Sequence, residues 1–254
     1  MLLSDKRIFI EKYETVTSTN DVLREKALCG APEGTVVIAN FQTAGRGRMG
    51  RNFYSPAGSG IYMSILLRPE SEIADNLCIT ARAAVAAAKA IDKHTDKKAM
   101  IKWVNDIYLN DRKVCGILTE GRKDTTNCMQ SYMIVGIGIN LKEPACGYPN
   151  ELNGVAGAVF DKDEFYDADK LIKDILFEFF SDNPNLLNDY RYRNMLDKKH
   201  IVVSHGNKPK YEAQVTGIDE SFGLCICLSD GTETVLRSGE VSVRQVNIDQ
   251  EEDI

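Results

Sequence analysis

A chain of 254 residues with 43% apolar side chains can bury one large core, or one large core and a small one. Its 37 acidic against 31 basic side chains, a formal net charge of -6, exclude a chain-wide basic face for nucleic acid but leave room for a local cationic pocket. No apolar run reaches the ~18 residues of a membrane span, and the charges at Asp5, Lys6 and Arg7 come too early for a signal-peptide core.

In chain order, residues 8–16 and 35–41 are rich in β-formers. Between them Ser18-Thr19-Asn20-Asp21 reads as a helix start, with Val22, Leu23, Ala27 and Leu28 following and Gly30 and Pro32 as the stop. Residues 60–67 read as a buried strand closed by Pro69. From Glu72 to His94 the apolar positions fall at helical spacing on an alanine-rich segment. Three strands are expected at 99–104, 113–121 and 130–140, with Asn110-Asp111 as the turn before the second. Residues 141–157 look irregular. A second amphipathic helix is expected over 167–181, and a short one up to Leu196. From His200 onward short β segments alternate with Gly, Asn and Asp turn signals, and an acidic tail from Asp249 to Ile254 is expected to fray. The expected fold is α+β: a mixed β-sheet flanked by helices over residues 1–197, then a small C-terminal β-barrel over 198–254.

Seven cysteines, an odd number at irregular spacing, argue against a disulfide framework and for a reducing cytoplasm. There is no CxxC pair, and His94, His200 and His205 form no ligand spacing, so no structural zinc is expected. Cys225 and Cys227 would share one strand face, and they read as core packing.

The segment Gly45-Arg46-Gly47-Arg48-Met49-Gly50-Arg51 interleaves three glycines with three arginines. Glycine frees the backbone for close approach, and each arginine is a planar fork of donors, so the loop suits an anion. It contains G-x-G-x-x-G, with Glu70 beyond it, but a dinucleotide site requires a helix opening at the third glycine. Asn52 to Gly60, with Pro56 and several small residues, breaks a helix instead.

Three further clusters accompany the loop. Lys102-Trp103-Val104-Asn105-Asp106 ends a strand; Asn105 and Asp106 there read either as oxygen ligands for a phosphate-bound magnesium or as an Asx-type turn. Lys113 heads the apolar run to Leu118, where a charge is costly unless partnered or snorkelling. Gly136 and Gly138 interrupt an apolar strand, a sign of close approach by a ligand or of a bulge.

Taken in order, Ser18-Thr19-Asn20, Gln42 with Gly45–Arg51, Lys102–Asp106, Arg112–Leu118 and Gly136–Asn140 resemble the motifs of biotin protein ligases over nearly the whole chain. The resemblance implies a two-step reaction in which biotin and MgATP give biotinyl-5′-adenylate and pyrophosphate. A lysine of a biotin carboxyl carrier domain then takes the biotinyl group and AMP leaves. By the same resemblance Lys113, Arg48 and Asp106 are catalytic, Lys113 bridging the biotin carboxylate and the α-phosphate. Ser18, Thr19, Asn20, Gln42, Gly45, Arg46, Gly47, Arg48, Lys113, Gly116, Gly136 and Gly138 would contact biotin. Arg46, Arg48, Arg51, Lys102, Trp103, Asn105 and Asn140 would contact the nucleotide, and Asp106 would help hold magnesium.

Two positions depart from the family pattern. Val104 stands where proline is usual and is expected to keep its strand extended. Cys115 replaces a small residue and, on a regular strand, shares a face with Lys113 and with the pocket. Only 17 residues precede Ser18, too few for the DNA-binding domain of some members, so DNA is not expected as a partner; the lack of a long apolar run makes a membrane partner equally unexpected. The sequence leaves monomer and homodimer open. The rival readings are a lipoate ligase or octanoyltransferase and, from another class, an RNA-binding module using the Arg-Gly loop.

Overall fold

The computed structural model describes residues 2–3, 6–69, 76–122, 131–205, 209–237 and 241–245. A minimal ladder joins β1 (Leu2–Leu3) to β2 (Lys6–Arg7). The main sheet has seven strands: β3 (Phe9–Val16), β4 (Thr35–Gln42), β5 (Gly60–Leu67), β6 (Met100–Lys102), β7 (Asp106–Leu109), β8 (Arg112–Arg122) and β9 (Tyr132–Asn140). Their order is β3-β4-β5-β9-β8-β7-β6, with β3 and β4 parallel and every other pair antiparallel.

The two faces are covered differently. Helix α1 (Thr19–Leu28) packs on one face, where Leu23 and Ala27 join Val37, Leu66, Tyr132 and Ile134. Helices α2 (Asn76–His94) and α3 (Ala168–Phe180), with the short α4 (Leu186–Arg193), cover the other. The alanines of α2 let it lie close on the sheet, and seven of them are buried. The expected start of this helix, residues 72–75, lies outside the described residues, as does the acidic tail.

Alternation explains why a cavity forms on the α1 face. Along β9 the odd residues Val135, Ile137 and Ile139 enter the main core, while Gly136 and Gly138 face the other way. Along β5, Ile61, Met63 and Ile65 enter the main core, and Ser64 meets α1. Because α1 begins only at Thr19, the sheet beyond its N-terminus is left uncovered by a helix.

The sequence and structure part company in three places here. The strand expected at 99–104 ends at Lys102 and turns back as β7, a short strand the sequence reading lacked; Lys102 pairs with Asp106 across residues 103–105. Val104 therefore lies in a turn rather than an extended strand, and the Trp103–Val104 peptide is cis. A second difference lies in the C-terminal module, which is a five-stranded antiparallel sheet rather than a barrel. It comprises β10 (His200–His205), β11 (Tyr211–Ile218), β12 (Leu224–Leu228), β13 (Glu233–Leu236) and β14 (Val241–Gln245) in the order β13-β12-β11-β10-β14. Among the described residues β13 and β14 do not pair and no closed barrel forms. Finally, Cys225 and Cys227 lie half-buried on β12, because Leu224 and Ile226 take the core face.

Candidate active site

A cavity of about 620 Å³ opens on the α1 face. Its floor is β8 and β9, one end is the N-terminus of α1, and the other is the β6–β7 turn; the Gly45–Arg51 loop lies across it. The loop is a folded structure. Its neck is closed by an Arg46–Asn52 bridge and by Phe53 N–H donating to Gly45 O at 2.9 Å, and a 3₁₀ turn spans Arg48–Gly50. Gly50 has φ 71°, a conformation open to glycine at little cost. No helix follows it, so the dinucleotide reading fails on its own criterion.

At the α1 end the polar groups form one connected chain. The Thr19 N–H donates to Gln42 Oε1 at 2.9 Å, and Gln42 Nε2 donates to Ser55 Oγ at 2.8 Å. Ser64, fully buried, sits 2.7 Å from Thr19 Oγ1 and 2.6 Å from Asn20 Oδ1. Asn20 Nδ2 in turn donates to Glu120 Oε2 at 2.8 Å. Ser18 caps α1 without a side-chain hydrogen bond and lines the cavity. The lining groups Ser18, Thr19, Asn20 and Gln42 are uncharged donors and acceptors, suited to a polar ring.

The opposite end is cationic. Lys113 Nζ lies 2.7 Å from Asp106 Oδ1, which also accepts from Asn105 Nδ2 at 3.0 Å. The Arg48 guanidinium donates to Asn105 Oδ1. Burial pushes Arg48 below its ordinary value, with Arg51 adding to the effect and the charge of Asp106 opposing it. Asn105 is itself fixed, its Nδ2 donating to Ile117 O at 2.9 Å and its carbonyl accepting from Ile117 N–H at 2.9 Å. Lys102 and Arg51 line the same end, with Lys102 Nζ 5.8 Å from the Tyr108 ring centroid. Burial raises the Tyr108 hydroxyl to about 12, so it remains a neutral group at physiological pH.

A β-bulge sets which residues of β8 face the cavity. Tyr108 pairs with Lys113 and Ile107 with Cys115, leaving Val114 as the extra residue. Val114 and Cys115 both enter the core, and Lys113, Gly116 and Leu118 line the cavity. Cys115 therefore does not share the pocket face with Lys113, contrary to the regular-strand expectation. It is buried among apolar side chains, and that burial pushes its thiol well up.

The strand glycines are close-approach positions, although their neighbours are side chains of this chain. A Cβ on Gly138 would meet the Phe53 ring at 2.5 Å, one on Gly116 would meet Phe53 and Lys113 at 3.2–3.3 Å, and one on Gly136 would collide with the Asn20 amide. Of the sequence candidates, Ser18, Thr19, Asn20, Gln42, Arg46, Gly47, Arg48, Arg51, Lys102, Trp103, Asn105, Asp106, Lys113, Gly116, Gly136 and Gly138 all line the cavity. Gly45 and Asn140 do not. Gly45 packs in the loop neck against Phe53 O and Ser55 Oγ, and Asn140 Nδ2 is spent on Gly157 O at 3.1 Å. Trp103 lines the cavity with a nearly buried ring whose Nε1 donates to Phe222 O of the C-terminal sheet at 2.9 Å.

Several residues in and behind the wall carry no sequence signal. Ser64 and Glu120, which bond the lining side chains of Thr19, Asn20 and Arg46, are ordinary polar residues within strands. Leu152 and Val155 come from the irregular segment after β9, which is stitched to β8 by Lys113 N–H to Val155 O at 2.9 Å and Gly157 N–H to Lys113 O at 2.8 Å. Among the described residues no group of three or more His, Cys, Asp or Glu side chains could hold a resident metal ion, and no helix is long and apolar enough to cross a membrane.

A mixed sheet thus carries a cavity with a hydrogen-bonding end, a cationic end and an arginine-glycine loop across it. Residues 13–140, half of the chain, match the biotin/lipoate A/B protein ligase family, and the chain belongs to that family. It is 41% identical over 143 residues to the bifunctional ligase/repressor BirA of Bacillus spizizenii, covering 56% of this chain and 43% of that protein. To BirA of Salmonella typhimurium it is 30% identical over 239 residues, covering 90% and 72%. The chain spans less than half the length of the first curated relatives it matches. Its fold is similar to that of the biotin protein ligase from Aquifex aeolicus in complex with biotin and ATP, at TM-score 0.77 and 25% identity, covering 94% of this chain and 99% of the other.

Proposed function

We propose that this protein is an ATP-dependent biotin protein ligase. Biotin's carboxylate attacks the α-phosphorus of ATP, pyrophosphate leaves, and the biotinyl-adenylate is then attacked at its carbonyl by a carrier lysine amine, releasing AMP. The carrying observation is that Lys113 and Arg48 stand at the cationic end of a cavity whose other end presents the neutral hydrogen-bonding groups of Ser18, Thr19, Asn20 and Gln42. Joining a carboxylate to a phosphate brings two anions together. A fixed cation about 4 Å from developing charge contributes ~4 kcal/mol at an effective dielectric near 20, and each ~1.4 kcal/mol of selective stabilisation is tenfold in rate.

In this reading Ser18, Thr19, Asn20 and Gln42 hold the polar ring of biotin, and the Phe53 ring against Gly116 and Gly138 walls its apolar part. Lys113 bridges the carboxylate and the α-phosphate, and Arg48, Arg51 and Lys102 receive the remaining phosphate charge. Magnesium enters as part of the MgATP substrate. Asp106, already oriented by Lys113, is the carboxylate available to it, which fits an ion held mainly by phosphates. Residues 1–197 form the substrate-binding domain, and 198–254 form a module docked behind the cationic end. A biotin carboxyl carrier domain is the protein substrate.

The test is intact-mass measurement of a carrier fragment after incubation with the protein, biotin and MgATP. A gain of one biotinyl group that requires both small molecules is expected. Modification with lipoate in place of biotin, or no modification, would overturn the assignment.

A further inference from the structure

We propose that Glu120 is a positioning residue: a single carboxylate that anchors the neck of the Gly45–Arg51 loop and also fixes the Asn20 amide at the α1 end of the cavity. The inference rests on the biotin ligase reading of that cavity. Glu120 lies on β8 opposite Ile134, on the same face as Gly116 and Leu118. Its Oε2 accepts from Arg46 at 2.5 Å, from Asn20 Nδ2 at 2.8 Å and from Arg24 at 3.1 Å. Asp21 completes the cluster, pairing with Arg24 and standing 3.2 Å from Arg46. Two carboxylates thus meet two guanidiniums, and the cluster is electrically balanced before any ligand arrives.

Two consequences follow from the geometry. First, Arg46 and Arg48 are two residues apart but serve opposite ends of the cavity. Arg46 is held by carboxylates beside α1, whereas Arg48 reaches Asn105 beside Lys113. Arg46 is then the post on which the loop stands, and Arg48 is the cation the loop delivers. Second, Asn20 is clamped from both sides, with Oδ1 taking the Ser64 hydroxyl and Nδ2 giving to Glu120, in the space that Gly136 leaves open. An amide fixed this way is preorganised for a polar ring, so loss of the clamp weakens binding more than turnover. Neutralising Glu120 should therefore loosen both the loop and the biotin end, and neutralising Asp21 should loosen the loop alone.

The experiment compares wild type, Glu120→Gln, Arg46→Gln and the double variant, with Asp21→Asn alongside, all as the full chain. Biotin-dependent pyrophosphate release gives KM and kcat, and limited trypsin digestion without ligands reads cleavage after Arg48 and Arg51. Glu120→Gln is expected to raise KM for biotin about tenfold, as loss of a charge-assisted hydrogen bond does, to change kcat much less, and to speed loop cleavage. The double variant should cleave no faster than Arg46→Gln, because the two side chains act through one contact. Asp21→Asn should speed cleavage and leave KM for biotin alone. Additive cleavage effects, or a folded Glu120→Gln with wild-type KM and cleavage, would overturn the proposal. If Glu120→Gln does not fold, Asp21→Asn decides it: unchanged cleavage rejects the latch. Wild-type protein that releases no pyrophosphate would reject the ligase reading instead, and the protease result would still judge the latch.

Discussion

At the level of single residues the proposed chemistry rests on Lys113, whose charge pairs with Asp106 at 2.7 Å in a half-buried setting. Replacing it with alanine removes the bridging cation and leaves the Asp106 carboxylate facing the incoming phosphates. We expect Lys113→Ala to lower biotin-dependent pyrophosphate release about a thousandfold, the rate equivalent of ~4 kcal/mol, with an unchanged circular-dichroism spectrum. Near-normal release by the folded variant would reject the role. Cys115, one turn of the bulge away, should behave oppositely. Buried and held as a neutral thiol, it should resist alkylation in the native protein at the same slow rate with and without biotin; ligand-dependent protection, read by peptide mass mapping, would mean that it faces the pocket. The contrast shows what was legible in the sequence. A lysine at the head of an apolar run stands out by type. The extra residue at Val114 leaves no mark in composition or alternation, and it alone decides which neighbours share the face of Lys113.

The elements were legible where their periodicity was strong: α2, α3, β4, β5 and β9 fall close to where the apolar spacing puts them. The short β7 was not, because four residues give too little alternation to separate from the strand before it, and the reversal is fixed by Asn105 binding β8 from a distance in sequence. The α2–α3 contact was legible as two apolar stripes, but its polar clamp was not. Lys93 and His94 at the end of α2 hold Asp174 of α3 at 2.8 and 2.7 Å. Burial raises the Asp174 pKa, the hydrogen bonds and charges of Lys93 and His94 lower it, and the net is below 3.8. The folded state thus binds fewer protons there than the unfolded chain. The stability that Asp174 adds is complete above its ordinary value and is lost as pH falls through the lowered one. Denaturant midpoints should therefore separate wild type from Asp174→Asn most at neutral pH and converge as the medium is acidified. A constant gap across that range would exclude the clamp as an acid-labile contact.

Over the whole molecule, the C-terminal sheet acts on the cationic end through the turn that the sequence reading expected to be extended strand. Asp219 caps the β11–β12 connection by accepting from Ser221 N–H at 2.9 Å and Gly223 N–H at 2.8 Å, and it pairs with Arg237. That cap presents the Phe222 carbonyl to Trp103 Nε1 at 2.9 Å. The Phe222 ring meets Tyr190 edge-on with centroids 5.6 Å apart, and the Tyr190 hydroxyl donates to Val104 O at 3.1 Å. Arg191 Nε adds a bond to Ile218 O at 2.9 Å. Trp103 and Val104 are thereby held from behind, and the next two residues, Asn105 and Asp106, are those that hold Arg48 and Lys113 in front. Trp103→Phe deletes the indole N–H together with its five-membered ring, leaving a buried carbonyl unpaired at a cost of ~1–3 kcal/mol and a gap where the larger ring packed. A slackened turn should misplace the cations that meet phosphate while the polar chain around Thr19 and Asn20, at the far end, stays intact. The expected result is a Trp103→Phe protein with a raised KM for ATP and a KM for biotin near wild type. Equal losses for both substrates would mean that the module supports the whole cavity, and no loss for either would mean that its docking leaves the reacting end untouched.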